Sequence, residues 1–318
     1  MARPEPEKAR RIACIGTGLM GGGWVIHFLA QGLDVHAQDP DPGAGDKLKR
    51  LLERSWPRMV DLGLAKGASP DRWKITTKVA EACEGAEFVQ ESAPERVDLK
   101  AKLLAEIDRA TAPDIVISSS TSGFVMSAMH GQCKGQDRLV VGHPFNPPYL
   151  LPLVEVVGSP KTAPWAVDWA CKFYDHFGQY ALKMDTEVPG FIANRLQQAL
   201  WHEALHMIVN GQATVEQIDA AQRHGPGLRW AMMGQFVLMH LAGGEGGIDH
   251  AMDHFSGPPE SKYAYLKPPP MTPDLDRKIR EGTKKIIGKK TYAELVRDRD
   301  KLLVAFRKAI SESDWDKR

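Results

Sequence analysis

Short apolar runs alternate with amphipathic segments over the first 187 residues, and then the runs stop. Residues 11–15, 33–38, 87–90, 115–118, 139–142 and 150–157 are short apolar-rich runs containing Val and Ile, which predicts strands. Between them, 43–63, 95–110 and 125–131 carry apolar residues at helical spacing. Trp24, Val25, Phe28 and Leu29 mark one more helix face, which stops at Gly32. Strands alternating with helices predict an α/β domain with a mostly parallel sheet. The pattern changes between Thr186 and Gly190. Beyond it, 191–209, 215–224, 230–241 and 292–310 read as helices and nothing reads as a strand. Two domains follow, residues 1–187 and an all-helical 188–318, with the proline-rich stretch 256–274 as an irregular connector.

Composition narrows the function classes. The 318 residues carry a net charge of +1 and no basic stripe, which argues against a nucleic-acid or membrane-surface partner. No apolar run is long enough to span a bilayer, and the charged start of the chain lacks the apolar stretch of a signal peptide. Cys14, Cys83, Cys133 and Cys171 are scattered without a CxxC pair, as expected of reduced thiols in a cytoplasmic protein.

The first strand runs straight into Gly16, Gly18 and Gly21, with Leu19 and Met20 between the last two. A strand, this glycine spacing, a helix, and then Asp39 at the end of the next strand form a dinucleotide-binding pattern. Gly16 permits the turn, Gly18 admits a diphosphate to the backbone, and Gly21 lets helix and strand pack closely. The diphosphate meets free amides at the helix start. Asp39 would accept from the adenosine ribose and repel a 2′-phosphate, which favours NAD over NADP. The expected fold is an N-terminal Rossmann-type doubly wound sheet followed by an all-helical C-terminal domain.

Polar side chains cluster at the ends of the other predicted elements. His143 stands in Gly142-His143-Pro144-Phe145-Asn146-Pro147, where flanking proline predicts a rigid extended turn. Twelve residues on, Glu155 is a lone carboxylate in the apolar run 150–157. A carboxylate that reaches an imidazole holds its tautomer and stabilises its cation. Residues 118–123, all hydroxyl-bearing up to Gly123, end one strand, and Gln90-Glu91-Ser92-Ala93-Pro94-Glu95 ends another on the way to Lys100. Asn194 follows Pro189-Gly190-Phe191 at the opening of the second domain.

Taken together and in this order, the glycine loop, the Ser-x-Thr-Ser turn, His143 with its later Glu155, and Pro189 to Arg195 resemble the 3-hydroxyacyl-CoA dehydrogenase superfamily over about residues 10–250. The resemblance implies that His143 is the general base and Glu155 its orienting partner. Ser122 and Asn194 would hold the substrate oxygen. Gly16, Gly18, Leu19, Met20, Gly21, Asp39, Glu95, Lys100, Ser122 and Asn146 would contact NAD. It also implies direct hydride transfer to NAD without a metal, and a homodimer assembled through the helical domain.

Within that superfamily the chain is most similar to the branch that oxidises L-carnitine. The likeness lies in residues 91–96, 143–147, 150–156, 225–231 and 240–245. Acyl-CoA enzymes usually carry His-Phe-Phe-Asn-Pro and Ser-Asn-Thr-Ser, where this chain has Pro144 and Ser120, and the differences point away from an acyl-CoA substrate. L-gulonate and 3-hydroxyacyl-CoA stand as alternative substrates, because the sugar-acid relatives share a pair like Arg229-Trp230. A quaternary ammonium needs aromatic faces rather than hydrogen-bond acceptors. Phe145, Phe191, Trp230 and Phe255 are candidates for that role, and Arg229 and Arg195 for the substrate carboxylate.

Two readings from other classes compete with this one. His202-Glu203-Ala204-Leu205-His206 has zinc-hydrolase spacing, but Val209 and Gln212 stand where the extended motif needs glycine and histidine. An outward-facing polar stripe on a helix accounts for it better. A non-catalytic NAD-binding protein is the other reading, and it conflicts with His143, Glu155, Ser122 and Asn194 occurring together.

Overall fold

The computed structural model describes residues 5–230, 234–243, 250, 270, 272–275, 277, 289 and 292–312. An eight-stranded sheet organises the first part of the chain, in the order β3-β2-β1-β4-β5-β6-β7-β8. Its strands are β1 (Arg11–Ile15), β2 (Asp34–Gln38), β3 (Trp73–Thr76), β4 (Phe88–Glu91), β5 (Ile117–Ser119), β6 (Leu139–Pro144), β7 (Leu153–Gly158) and β8 (Tyr180–Lys183). Every neighbouring pair is parallel except β6 and β7. Helices α1 (Leu19–Ala30), α2 (Ala44–Leu62), α3 (Val79–Cys83), α4 (Val97–Ala110) and α5 (Pro164–His176) connect and cover the strands. The doubly wound α/β fold expected from the alternation is present.

The sheet is buried on both faces, as parallel strands require. Trp24 and Phe28 of α1 pack with Phe88 of β4 and with Phe173 and Tyr174 of α5, the Phe88 and Phe173 rings being 4.2 Å apart. A second apolar cluster gathers Ala13, Ile15, Val89, Leu104, Ile117, Val141 and Val157. Cys14, Cys83 and Cys133 are buried and unpaired, Cys171 is half-buried, and burial pushes the Cys133 and Cys171 thiols up to about 11.

The sequence pattern overlooks β3 and β8, the two edges of the sheet. Edge strands bury little, and neither has a fully buried residue to show a period. Helices α3 and α5 were also overlooked. The helix expected at 125–131 is instead two short 3₁₀ turns, Met126–Ala128 and His130–Gln132. Strand β6 continues through His143 and Pro144, so the histidine sits in the sheet rather than on a turn beyond it.

The chain forms two compact units, residues 1–194 and 195–318. Helix α6 (Ala193–Val209) leads into the second, followed by α7 (Val215–His224), α8 (Gly227–Trp230), α9 (Gln235–Ala242) and α10 (Tyr292–Glu312). Thr214 caps α7 by a reciprocal capping box with Gln217. Of the helix expected over 230–241, the described residues show α8 ending at Trp230 and α9 beginning at Gln235. The second unit has its own small core of Leu205, Ile208 and Leu275.

Candidate active site

The glycine loop is shaped for a ligand it leaves room for. Gly16 has φ +86°, a left-handed backbone that costs an L-residue strain, and a Cβ there would lie 2.8 Å from Ser92 O. A Cβ on Gly21 would lie 1.8 Å from Gly16 O, so the helix can pass the loop only with glycine. A Cβ on Gly22 or Gly23 would lie 2.7 Å from the tip of the Leu51 side chain or from the Pro148 ring, less severe than at Gly21 but still close. Gly18 differs from these: a Cβ there would meet nothing within 4 Å. It is also the N-cap of α1 and provides no side-chain cap. The first-turn amides therefore open onto free space, where a diphosphate fits.

Asp39 closes the loop from the next strand. Its Oδ2 accepts from Thr17 N and Thr17 Oγ1, both at 2.9 Å, and its Oδ1 accepts from Asp41 N at 3.0 Å. Three of roughly four acceptor positions are thus occupied by the protein, and Oδ1 keeps one for a ribose hydroxyl. Thr17, the residue between the first two glycines, was not singled out from sequence because any residue satisfies that motif position.

His143 and Glu155 are direct cross-strand partners on β6 and β7. Their side chains meet at 2.8 Å, Nδ1 to Oε2, with the imidazole 4% and the carboxylate 0% exposed by residue. Antiparallel pairing makes this contact, since opposed residues present side chains on one face. Gly142 is required just before it, because a Cβ there would lie 2.3 Å from Tyr174 OH and 2.4 Å from Ser118 Oγ.

Glu155 Oε1 accepts two more hydrogen bonds, from Ile192 N at 2.8 Å and Ala193 N at 2.9 Å. Gly190 and Phe191 both have positive φ, 75° and 52°, and this left-handed pair precedes the two donating amides. Burial pushes the Glu155 carboxyl up, but the hydrogen bonds from His143, Ala193 and Ile192 outweigh it and hold the group below the usual carboxylate range. An ionised Glu155 accepts from Nδ1–H, which leaves the lone pair of a neutral imidazole on Nε2.

Asn194 is the next residue, and its Nδ2 donates to Ser122 O at 3.1 Å. The His143–Glu155 pair and the Ser122–Asn194 pair are therefore tied together through residues 192–194. The turn bearing Ser122 is held in turn by Glu95, whose Oε1 accepts from Thr121 Oγ1, Ser122 N and Gly123 N at 2.6–2.9 Å. Ser122 itself is exposed.

The remaining expected residues fall in different places. Lys100 is 1% exposed and bonds both oxygens of the buried Glu91, at 2.9 and 3.2 Å, with Glu95 Oε2 at 3.7 Å. Glu91 also accepts from Ala93 N and from Ser119 Oγ. Sequence reading passed over Glu91 as one polar residue among several at a strand end. Phe191 is fully buried in the core and stacks on the imidazole, with ring centres 4.9 Å apart, so its face is already occupied by His143. Phe145 is half-buried and meets the same imidazole edge-on at 5.2 Å. Asn146, Leu19 and Arg229 are exposed, Met20 and Trp230 half-buried, and Phe255 lies outside the described residues. His202 and His206 lie on α6.

A doubly wound sheet with an open glycine cradle and a carboxylate-held histidine defines an NAD-dependent dehydrogenase. The chain belongs to the 3-hydroxyacyl-CoA dehydrogenase family. Residues 11–188 match the model of that family's NAD binding domain, and residues 190–292 match its C-terminal domain. It is 51% identical to an L-carnitine dehydrogenase of Nocardiopsis dassonvillei over 98% of this chain and 94% of the other. It is 45% identical to an L-carnitine dehydrogenase of Pseudomonas putida over 96% and 95%. Among solved structures it is similar to 5-formyl-3-hydroxy-2-methylpyridine 4-carboxylic acid 5-dehydrogenase, an NAD+ dependent dismutase. That match has a TM-score of 0.80 and 25% identity over 96% of this chain and 99% of the other.

Proposed function

We propose that this chain oxidises the 3-hydroxyl of L-carnitine to 3-dehydrocarnitine, with NAD as acceptor. The observation that carries the substrate is the likeness, over nearly the whole length of both chains, to L-carnitine dehydrogenases at 51% and 45% identity. In this reading residues 1–187 are the NAD-binding domain, and residues 188–318 are the helical substrate and dimerisation domain of a cytoplasmic homodimer. Bound NAD supplies the hydride acceptor. His143 Nε2 takes the hydroxyl proton, and Glu155 stabilises the imidazolium that forms. One N–H of the Asn194 amide is spent on Ser122 O, and the other is available to the substrate oxygen together with the Ser122 hydroxyl. Asp39, Glu95, Lys100 and Asn146 contact or frame the NAD site.

The deciding experiment follows NADH formation from L-carnitine, D-carnitine, L-gulonate and 3-hydroxybutyryl-CoA side by side. Turnover with L-carnitine and little with the other three is the expected result. Activity with only the CoA ester or only L-gulonate would overturn the substrate assignment and leave the dehydrogenase class intact.

The trimethylammonium group would rest on Phe145, which is half-buried beside His143, whereas the Phe191 face is taken. A cation–aromatic contact is worth about 0.5–2 kcal/mol. Phe145→Ala is therefore expected to raise KM for L-carnitine about 2- to 30-fold, with KM for NAD little changed. Equal changes in the two constants would remove Phe145 from the substrate site.

A further inference from the structure

A chain of hydrogen bonds, buried at Ser118 and Tyr174 and part-buried at Ser120, runs between the glycine helix and the ends of β4 and β5, and its direction can be worked out bond by bond. Trp24 Nε1, which can only donate, reaches Ser120 Oγ at 3.1 Å. Gln90 Nε2 donates to the same oxygen at 2.8 Å. With both lone pairs of Ser120 Oγ used, its own hydrogen goes to the remaining neighbour, Ser92 Oγ, at 2.8 Å. The other end is fixed likewise. Tyr174 OH donates to Gln90 Oε1 at 2.5 Å, so Ser118, 2.8 Å away, must donate to Tyr174. Every hydroxyl along the chain then has its hydrogen assigned except one. Ser92 accepts from Ser120 and keeps a donor for something else.

Ser92 stands at the cofactor cradle. It follows the C-terminal end of β4, and its backbone N donates to Ile15 O, the last residue before the glycine loop. Its carbonyl lies against Gly16, and its Cβ is 3.2 Å from where a Cβ on Gly21 would be. Like Ser120 it is half-buried, whereas Trp24, Gln90, Ser118 and Tyr174 behind them are buried. The order of strands places it relative to the ligand. Asp39 follows β2, the glycine loop follows β1, and Ser92 follows β4, on the opposite side of β1 from β2. A dinucleotide with its adenosine ribose at Asp39 and its diphosphate over the glycine loop extends its nicotinamide half toward β4.

We propose that Ser92 donates a hydrogen bond to an oxygen of the nicotinamide-side ribose of NAD, its donor direction being set by Ser120. Ser92 is a cofactor contact in this reading, and Ser120, Gln90 and Trp24 are positioning residues. The inference rests on NAD occupying the glycine cradle.

The test measures Kd for NADH, ADP-ribose and ADP with wild type, Ser92→Ala and Ser92→Cys, together with the Tm of each free protein. Wild type binding NADH establishes the premise independently of Ser92. Ser92→Ala is expected to weaken NADH and ADP-ribose about five- to tenfold, to leave ADP unchanged because it lacks the second ribose, and to leave Tm nearly unchanged. Ser92→Cys, a weak donor, should fall between. Unchanged NADH affinity in Ser92→Ala overturns the proposal, and so does an equal loss for all three ligands, which marks general damage to the loop.

Discussion

His143→Gln is expected to lower kcat about 10²- to 10⁴-fold, the usual contribution of a positioned general base, while Kd for NADH stays within about twofold. The separation follows from the geometry. The imidazole belongs to β6 and β7, and the glycine cradle belongs to β1 and α1. Glutamine keeps a polar side chain opposite Glu155, so the carboxylate is not left bare. Single-turnover NADH formation measures the step directly. Full turnover by His143→Gln would revive a non-catalytic NAD-binding role or place the base elsewhere.

Glu155 gives the same site a pH signature. Its lowered pKa means that it stays ionised beneath His143 until well into acid. A carboxyl group depressed in the folded state contributes stability above its unfolded pKa and loses it as pH falls through the folded value. Glu155→Gln removes that contribution, so the stability advantage of wild type over the variant should be full at neutral pH and shrink as pH falls below the ordinary carboxylate value of about 4.3. Thermal unfolding of both proteins at several pH values measures it. A gap that does not change with pH would mean that Glu155 is not ionised in the fold.

What the sequence reveals depends on how far apart the cooperating residues lie. The glycine cradle was legible because one short stretch makes it, and its spacing shows without the neighbours that press on Gly16 and Gly21. Asp39 was legible for its place at a strand end. His143 and Glu155 were legible as a pair through the family resemblance, and their pairing within the sheet was not, since a proline flank suggested a turn. Phe191 shows the opposite failure. An aromatic beside a motif reads as exposed to substrate, but a left-handed backbone at that residue turns it under the imidazole. The network of Trp24, Gln90, Ser92, Ser120 and Tyr174 could not be read at all. It gathers residues up to 150 positions apart, as Trp24 and Tyr174 are, and each looks ordinary where it stands.

Lys100→Met is expected to destabilise the protein by about 3–5 kcal/mol, because it strands Glu91 as a buried, unneutralised charge. Lys100 and Glu91 are 1% and 0% exposed, and the amide of Ala93 and the Ser119 hydroxyl do not replace a full positive charge. Glu91→Gln combined with Lys100→Met should restore most of the loss, since removing both charges also removes the desolvation they impose. Urea denaturation of the two single variants and the double variant measures this, and an additive double variant would show that the pair is not coupled. The same proteins separate two roles for the lysine. If Lys100 also bonds NAD, the double variant stays stable but loses about 10- to 100-fold in NADH affinity, the usual worth of a hydrogen bond from a charged group. If the ammonium serves only to hold Glu91 and the turn from Ser119 to Gly123, the double variant binds NADH as wild type does. The burial of Lys100 and its two bonds to Glu91 favour the second outcome, in which the ion pair supports the fold and takes no part in holding NAD.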